Sequence, residues 1–231
     1  MGDPRGHRTI HREVVIPNIS GQLRDWFGGS IGISVAEIGR ELPLYPEEET
    51  AVARAVPKRR AEFSTGRYCA REALKHLGIP PGPIGMGPLR GPIWPQGATG
   101  SITHSAGLCA AIAGSRLRFR GLGLDLIDMA EAAPVVQAAV DFLLSPAESL
   151  LPQPPSRIDP HVLRFSAKES VIKTISEEAG RWLEFSEITV AFGASSFEAS
   201  MPRWPLVRGY FAVYDGILLT AVKLLVDPGK P

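Results

Sequence analysis

Apolar and polar positions divide the 231-residue chain into alternating, helical and irregular segments. Residues 1 to about 20 are polar and are expected to be loosely held. "IGISVAEI" (31–38) alternates as a half-buried strand does. "LPLYPEEET" (42–50) predicts a turn, with Pro46 opening a short acidic helix. "PKRRAEFSTGRYCAREALKHLG" (57–78) predicts a long helix, with Pro57 in its first turn and Gly78 at its C-cap. The Pro/Gly-rich stretch 79–100 reads as irregular loop, and "SITHSAGLCAAIAG" (101–114) as a turn running into a buried strand. "GLGLDLIDM" (121–129) predicts a second strand ending in acids, and a helix is expected over 134–144. In "SPAESLL" (145–151), Ser145, Pro146 and Glu148 form the pattern of a capping box. After a loop at 152–160 comes a helix containing "RFSAKESVIKT" (164–174). The end is β: "EITVAF", "SFEASM", then two alternating runs around Asp215-Gly216, a strong two-residue hairpin signal. The order predicts an α+β fold of two sheet-plus-helix lobes, 21–115 and 116–231, alike in layout but not in residues.

Charge narrows the possible partners. The formal net charge is +1, so no global field draws the chain to nucleic acid or a membrane, and any basic site must be local. Cys69 and Cys109 lie in apolar patterns and read as reduced core residues, with no metal-type cysteine spacing. The N-terminal stretch has no apolar h-region, so no secretory signal is expected, and Gly6 stands where a myristoylation site needs Ser or Thr. No apolar run is long enough to span a bilayer, and a cytoplasmic soluble protein is the simplest expectation.

Candidate chemistry sits in four places. On the 57–78 helix, Arg60, Ser64, Arg67, Arg71 and Lys75 line one stripe, with Glu72 the one acid read as near enough to neutralise it. A stripe of arginine forks suits phosphate oxygens, although a solvated basic face gives the same pattern. In "SITHS", adjacent strand residues point to opposite faces, which argues against a Ser–His catalytic pair and favours His104 as a phosphate or ribose contact. In "GLGLDLID" the third glycine of a dinucleotide fingerprint is missing, and Asp125 lies between two leucines where a buried carboxylate needs a cation. On the 164–174 helix, Phe165, Val171, Ile172 and Ile175 form an apolar arc into which Lys168 also points. Glu169 and Lys173 pair four apart at the rim of that arc. Two carboxylates, Asp125 and Glu169, with lysines and arginines around them are the components of Mg²⁺-assisted phosphoryl transfer.

"GLGLDLI", followed some forty residues later by "FSAKESVIK", resembles the paired signature of the 4′-phosphopantetheinyl transferases of the surfactin-synthetase and enterobactin-synthetase type. "RRAEFSTGRYCAREAL", "GPIWPQGATGSITHSAG" and "RWLEFSEITVAF" resemble the bacterial enterobactin-like branch. The likeness spans roughly residues 40 to 225. It implies a pseudo-twofold arrangement of two similar α/β lobes with coenzyme A between them. It also implies transfer of the phosphopantetheine arm of coenzyme A to a serine of an acyl or peptidyl carrier protein, with Mg²⁺, releasing 3′,5′-ADP. By position, Asp125 and Glu169 would be metal ligands, Glu169 also the base, and Lys173 would stabilise the leaving phosphate. Lys168 would reach a coenzyme A phosphate, Thr103 and His104 would hold the 3′-phosphate end, and Arg59 and Arg67 would reach the nucleotide phosphates. The helical wheel favours Arg60 over Arg59.

Two positions depart from the family pattern. Ile127 stands where many members carry an acid, so water is expected in that ligand place, since Asp128 should face the other side of the strand. Gly91 stands where many relatives have a lysine, for which Arg90 is the expected substitute. A protein that binds coenzyme A or a carrier without turnover is the alternative, although Glu169 and Lys173 exceed what binding requires. A serine hydrolase lacks a nucleophile elbow. A monomer is expected by analogy.

Overall fold

The computed structural model of the chain describes residues 10–152, 154 and 158–227. Residues 1–9, including Gly6, and part of the 152–160 loop lie outside them. The elements in chain order are α1 (Arg12–Phe27), β1 (Ile31–Glu37), α2 (Pro46–Glu49), α3 (Pro57–Lys75), β2 (Ala98–Ser105), β3 (Leu108–Ser115), β4 (Phe119–Asp128) and α4 (Met129–Ala138). After them come α5 (Val140–Leu143), α6 (Pro160–Ala179), β5 (Thr189–Phe192), β6 (Ser196–Ser200), β7 (Val207–Tyr214) and β8 (Ile217–Leu225). The strands form two antiparallel sheets, ordered β1-β3-β2 and β4-β8-β7-β6-β5. The class is α+β, as the pattern predicts. The β7–β8 turn is the expected hairpin, with Asp215 at φ 45° and Gly216 at φ 70°, the left-handed pair a type I′ turn requires.

Alternation along the strands separates the two faces of the sheets. On β3, Leu108, Ala110 and Ile112 join one apolar cluster, while Cys109, Ala111 and Ala113 join another beneath α3. On β8, Ile217, Leu219 and Ala221 share the first cluster, while Leu218, Val222 and Leu224 pack beneath α6. The shared cluster is covered by α1 through Val15, Ile19, Leu23 and Phe27, one residue per helical turn and all buried. The expected loose N-terminus therefore does not extend over residues 12–20. Its four-residue apolar repeat is interrupted by Pro17, Asn18, Ser20 and Gly21, which lend the stretch its polar look. Helix α4 also starts earlier than the 134–144 expectation, because Asp128 caps it by accepting from the amides of Ala130 and Glu131.

The two sheets meet where β2 and β4 lie side by side. No backbone ladder joins them. The amides of Leu124, Leu126 and Asp128 instead donate to the hydroxyls of Ser101 (3.0 Å), Thr103 (3.2 Å) and Ser105 (2.9 Å). The matching order of partners means that the strands run in the same direction. The hydroxyls satisfy an edge that would otherwise hold buried, unpaired N–H groups.

Helix α6 lies against β4 at backbone distance. A Cβ at Gly121 would sit 2.2 Å from the Thr174 carbonyl oxygen, and one at Gly123 would sit 1.8 Å from that of Ser170. Two strand residues advance roughly 6.6 Å and four helical residues about 6 Å, so the register repeats. The next step along it brings Asp125 to Ser166. In the first half, Gly32 of β1 meets the carbonyl of Ala73, where a Cβ would sit 1.7 Å from the oxygen.

Candidate active site

Ser166, Glu169 and Lys173 are three and four residues apart, so they share the face of α6 turned toward β4. Lys173 Nζ donates to Asp125 Oδ1 at 2.6 Å and to the carbonyl of Leu124 at 3.2 Å. Thr103 Oγ1 donates to Asp125 Oδ1 at 3.3 Å, and Ser166 Oγ donates to Oδ2 at 2.9 Å. Asp125 is only 5% exposed. Glu169 lies close enough to feel both charges. Burial raises its carboxyl above the ordinary value, Lys173 opposes that rise and Asp125 adds to it. Among the described residues nothing donates a hydrogen bond to Glu169. Two carboxylates thus face a single ammonium in a largely dry place, which leaves a deficit of positive charge. The oxygens of Asp125 and Glu169 suit a hard divalent cation as a supplement. Among the described residues no third acid, His or Cys completes a metal cluster. Ile127 belongs to the apolar cluster beneath α6, and Asp128 is committed to capping α4.

A cavity of about 450 Å³ adjoins this cluster, lined by Ile38, Lys58, Glu62, His104, Gly107 and Glu131 among others. The charges of Lys173 and Asp125 act on His104, so the cavity wall lies within electrostatic reach of the cluster. Arg59 Nη1 donates to His104 Nε2 at 3.1 Å and lies 3.4 Å from Glu62. A guanidinium has no acceptor, so His104 Nε2 must accept and the ring is neutral. Burial lowers the pKa of His104, the charges of Arg59 and Lys173 lower it further, and Glu62 and Asp125 oppose them. Lys58 and Arg59 thus offer cations at this opening, where Glu62 and Glu131 also stand, and the carboxylates of Asp125 and Glu169 lie nearby.

Residues 47–114 match the sequence model of the 4′-phosphopantetheinyl transferase N-terminal domain. The 4′-phosphopantetheinyl transferase Npt of Nocardia iowensis is 34% identical over 213 residues, covering 83% of this chain and 95% of its own. PptT of Mycobacterium tuberculosis, which has the same activity in its name, is 36% identical over 197 residues, covering 78% of this chain and 85% of its own. This chain belongs to the 4′-phosphopantetheinyl transferase family. A shorter match joins it to enterobactin synthase component D of Salmonella typhimurium, 36% identical over 125 residues, 52% of this chain and 50% of that protein.

Several residues expected to bind ligand in this transferase have other partners. Lys168 is 0% exposed and does not face the cleft. Its ammonium donates to Glu148 Oε2 (2.6 Å), the Leu143 carbonyl (2.6 Å) and the Phe185 carbonyl (2.9 Å), which occupies all its protons. Glu148 is the glutamate of the predicted capping box; it also accepts from the amides of Ser145 and Val190. Arg60 is held by Glu41 at 2.9 Å, Glu49 at 2.8 Å and the Val52 carbonyl at 3.0 Å. Arg71 pairs with buried Glu48 at 2.8 Å. Glu41, Glu48 and Glu49 neutralise Arg60 and Arg71, while Glu72 pairs with Lys75 at the end of the stripe. Arg67 stacks on Phe63 and donates to the carbonyls of Ile84 (2.6 Å) and Gly85 (3.2 Å), anchoring the loop after α3. Burial pulls its guanidinium down to about 10, which still leaves it charged at neutral pH. The hydroxyl proton of Thr103 points to Asp125, not into the cavity. Arg90 is exposed in a turn with φ 60°, and among the described residues its side chain makes no hydrogen bond or ion pair. Ser166 and Glu62 join the cluster without having been expected. The spacing of Ser166 from Glu169 is the signal that marks it.

Proposed function

We propose that this transferase moves the 4′-phosphopantetheine arm of coenzyme A onto a serine hydroxyl of an apo acyl or peptidyl carrier protein and releases 3′,5′-ADP. The observation that carries the reading is Asp125 and Glu169 gathered about Lys173, beside the cavity at Arg59 and His104. Asp125 and Glu169 are the groups that would hold Mg²⁺, which when bound would neutralise pyrophosphate oxygens. Glu169 takes the proton of the carrier serine as its oxygen bonds to the phosphorus of the pantetheine arm; a raised pKa brings this base nearer to neutral pH. The bond from that phosphorus to the bridging oxygen breaks, and the electron pair leaves with 3′,5′-ADP. Lys173 stabilises the negative charge on that leaving group. Arg59 and His104 hold the ribose phosphate, with Arg90 the candidate for an outer phosphate contact.

Two recurrences support a pseudo-twofold relation of the halves. The β1–α3 and β4–α6 pairs each set a strand glycine against a helix carbonyl, Gly32 against Ala73 and Gly123 against Ser170. A buried glutamate closes a capping box before each long helix and binds a cation on that helix: Glu48 with Arg71, Glu148 with Lys168. The reading also places the enzyme in the cytoplasm as a monomer acting on neither nucleic acid nor membrane. In its support, Cys69 and Cys109 are free thiols, and among the described residues no helix is long and apolar enough to cross a membrane.

The test is to incubate the protein with coenzyme A, Mg²⁺ and an apo carrier protein and weigh the carrier by mass spectrometry. The carrier gains the pantetheine arm with the wild type. With Glu169→Gln the gain stops while calorimetry still detects coenzyme A binding. Transfer by Glu169→Gln at the wild-type rate would remove the base role, and binding without any gain by the wild type would leave a mere coenzyme A binder.

A further inference from the structure

We propose that Ser166 is a positioning residue for Asp125: with Thr220 behind it, it fixes which carboxylate oxygen faces an incoming cation. Ser166 and Thr220 are both 0% exposed. Ser166 Oγ lies 2.9 Å from Asp125 Oδ2 and 3.0 Å from Thr220 Oγ1, and Thr220 Oγ1 lies 2.8 Å from the Ser166 carbonyl oxygen. Each hydroxyl has one proton. That of Ser166 goes to the charged acceptor, because hydrogen bonds to carboxylates are the stronger kind. That of Thr220 then points back at the oxygens of Ser166. Thr220 of β8 thus holds Ser166 in place through its carbonyl and hydroxyl oxygens, and Ser166 of α6 gives its own proton to Oδ2. The other oxygen, Oδ1, accepts from Thr103 at 3.3 Å and holds Lys173, whose side chain is 24% exposed and so lies on the open side of the carboxylate. Oδ1 is thus the position where a metal can replace or join a cation, and Oδ2 is reserved.

A short hydroxyl is what this place accepts. The strand and helix backbones touch at Gly121 and Gly123, and Asp125–Ser166 is the next step in the same register. A longer side chain at 166 would force α6 from β4, and an alanine would leave Oδ2 buried without its donor. Ile127 supplies no oxygen, so the orientation of Asp125 matters more here than in a site with a third acid.

The inference rests on Asp125 as a metal ligand, and the experiment separates the two ideas. Mn²⁺ binding is measured by electron paramagnetic resonance on wild type, Ser166→Ala, Ser166→Thr and Asp125→Asn, with thermal melting of each. Ser166→Ala should weaken Mn²⁺ binding about tenfold, the usual effect of removing a partner of a metal ligand, and Ser166→Thr should restore it. Wild-type Mn²⁺ affinity in Ser166→Ala, with affinity lost in Asp125→Asn, would overturn the positioning role and leave the metal ligand standing. Wild-type affinity in Asp125→Asn would overturn both. If Ser166→Ala does not fold, Thr220→Val carries the test: weaker Mn²⁺ binding supports the proposal, and unchanged binding overturns it.

Discussion

Replacing Lys168 by methionine tests whether this lysine belongs to the fold or to the ligand. The substitution keeps the length and apolar stem of the side chain and removes the ammonium. Glu148, itself 0% exposed, then faces a methyl group in place of the ammonium and keeps Arg164 at 3.9 Å, and the carbonyls of Leu143 and Phe185 lose a donor. Removing one partner of a buried ion pair costs about 3–5 kcal/mol. For a chain of this size each kcal/mol lowers the melting temperature by about 2–4 °C, so a fall of roughly 6–20 °C is expected. Adding Glu148→Gln removes that carboxylate but also takes a partner from buried Arg164, so the double variant should recover only part of the loss, with a coupling of about 0.5–3 kcal/mol. Calorimetric melting of the four proteins in the cycle gives these values, and titration with coenzyme A gives the affinity of each. The reasoning predicts that Lys168→Met melts far lower yet binds coenzyme A normally at a temperature where it is folded. A variant with the wild-type melting temperature and lost affinity would return Lys168 to the cleft.

Gly123→Ala would put a methyl group 1.8 Å from the Ser170 carbonyl oxygen, so α6 must move off β4. A stability loss of ~1–3 kcal/mol is expected, with transfer falling further than stability explains; wild-type melting and rate would refute the tight approach. Arg59→Ala should weaken coenzyme A binding roughly tenfold or more, since a hydrogen bond to a charged group contributes ~1.5–3 kcal/mol. Arg60→Ala should leave that affinity alone and lower the melting temperature, and the reverse pattern would reinstate the wheel's choice. His104 should titrate below the ordinary 6.5 in an NMR series, because burial disfavours the imidazolium. Its contribution to stability is then fully present above 6.5 and declines as pH falls from there toward the folded value. Added 3′,5′-ADP should raise the midpoint, and a midpoint at or above 6.5 without ligand would contradict the neutral ring.

Legibility in the sequence followed the range of each interaction. Asp125 between two leucines, and Glu169 with Lys173 four apart, are local anomalies, and the fold brings all three together. The Asp215-Gly216 hairpin and the capping box at Ser145–Glu148 are likewise local. Lys168 was visible as an oddity in an apolar arc, but its partner lies twenty residues earlier, and a wheel of one helix cannot show a glutamate arriving from outside it. The arginine stripe failed for the same reason, since Glu41, Glu48 and Glu49 reach it from a separate segment. Ser101, Thr103 and Ser105 alternate in plain view. Their use as a substitute ladder depends on a neighbouring strand that only the tertiary fold supplies. The α1 helix was obscured by its low apolar content; its stability comes from the faces of two sheets rather than from its own propensity.

The most direct test of the account is a crystal structure of the protein with coenzyme A and Mg²⁺. The account predicts the pyrophosphate at the β2–β4 seam, a metal ion touching Asp125 and Glu169, Lys173 turned to a phosphate oxygen, and the ribose phosphate beside Arg59 and His104. Coenzyme A bound elsewhere, with Lys173 still on Asp125 and no ion between the two carboxylates, would contradict it.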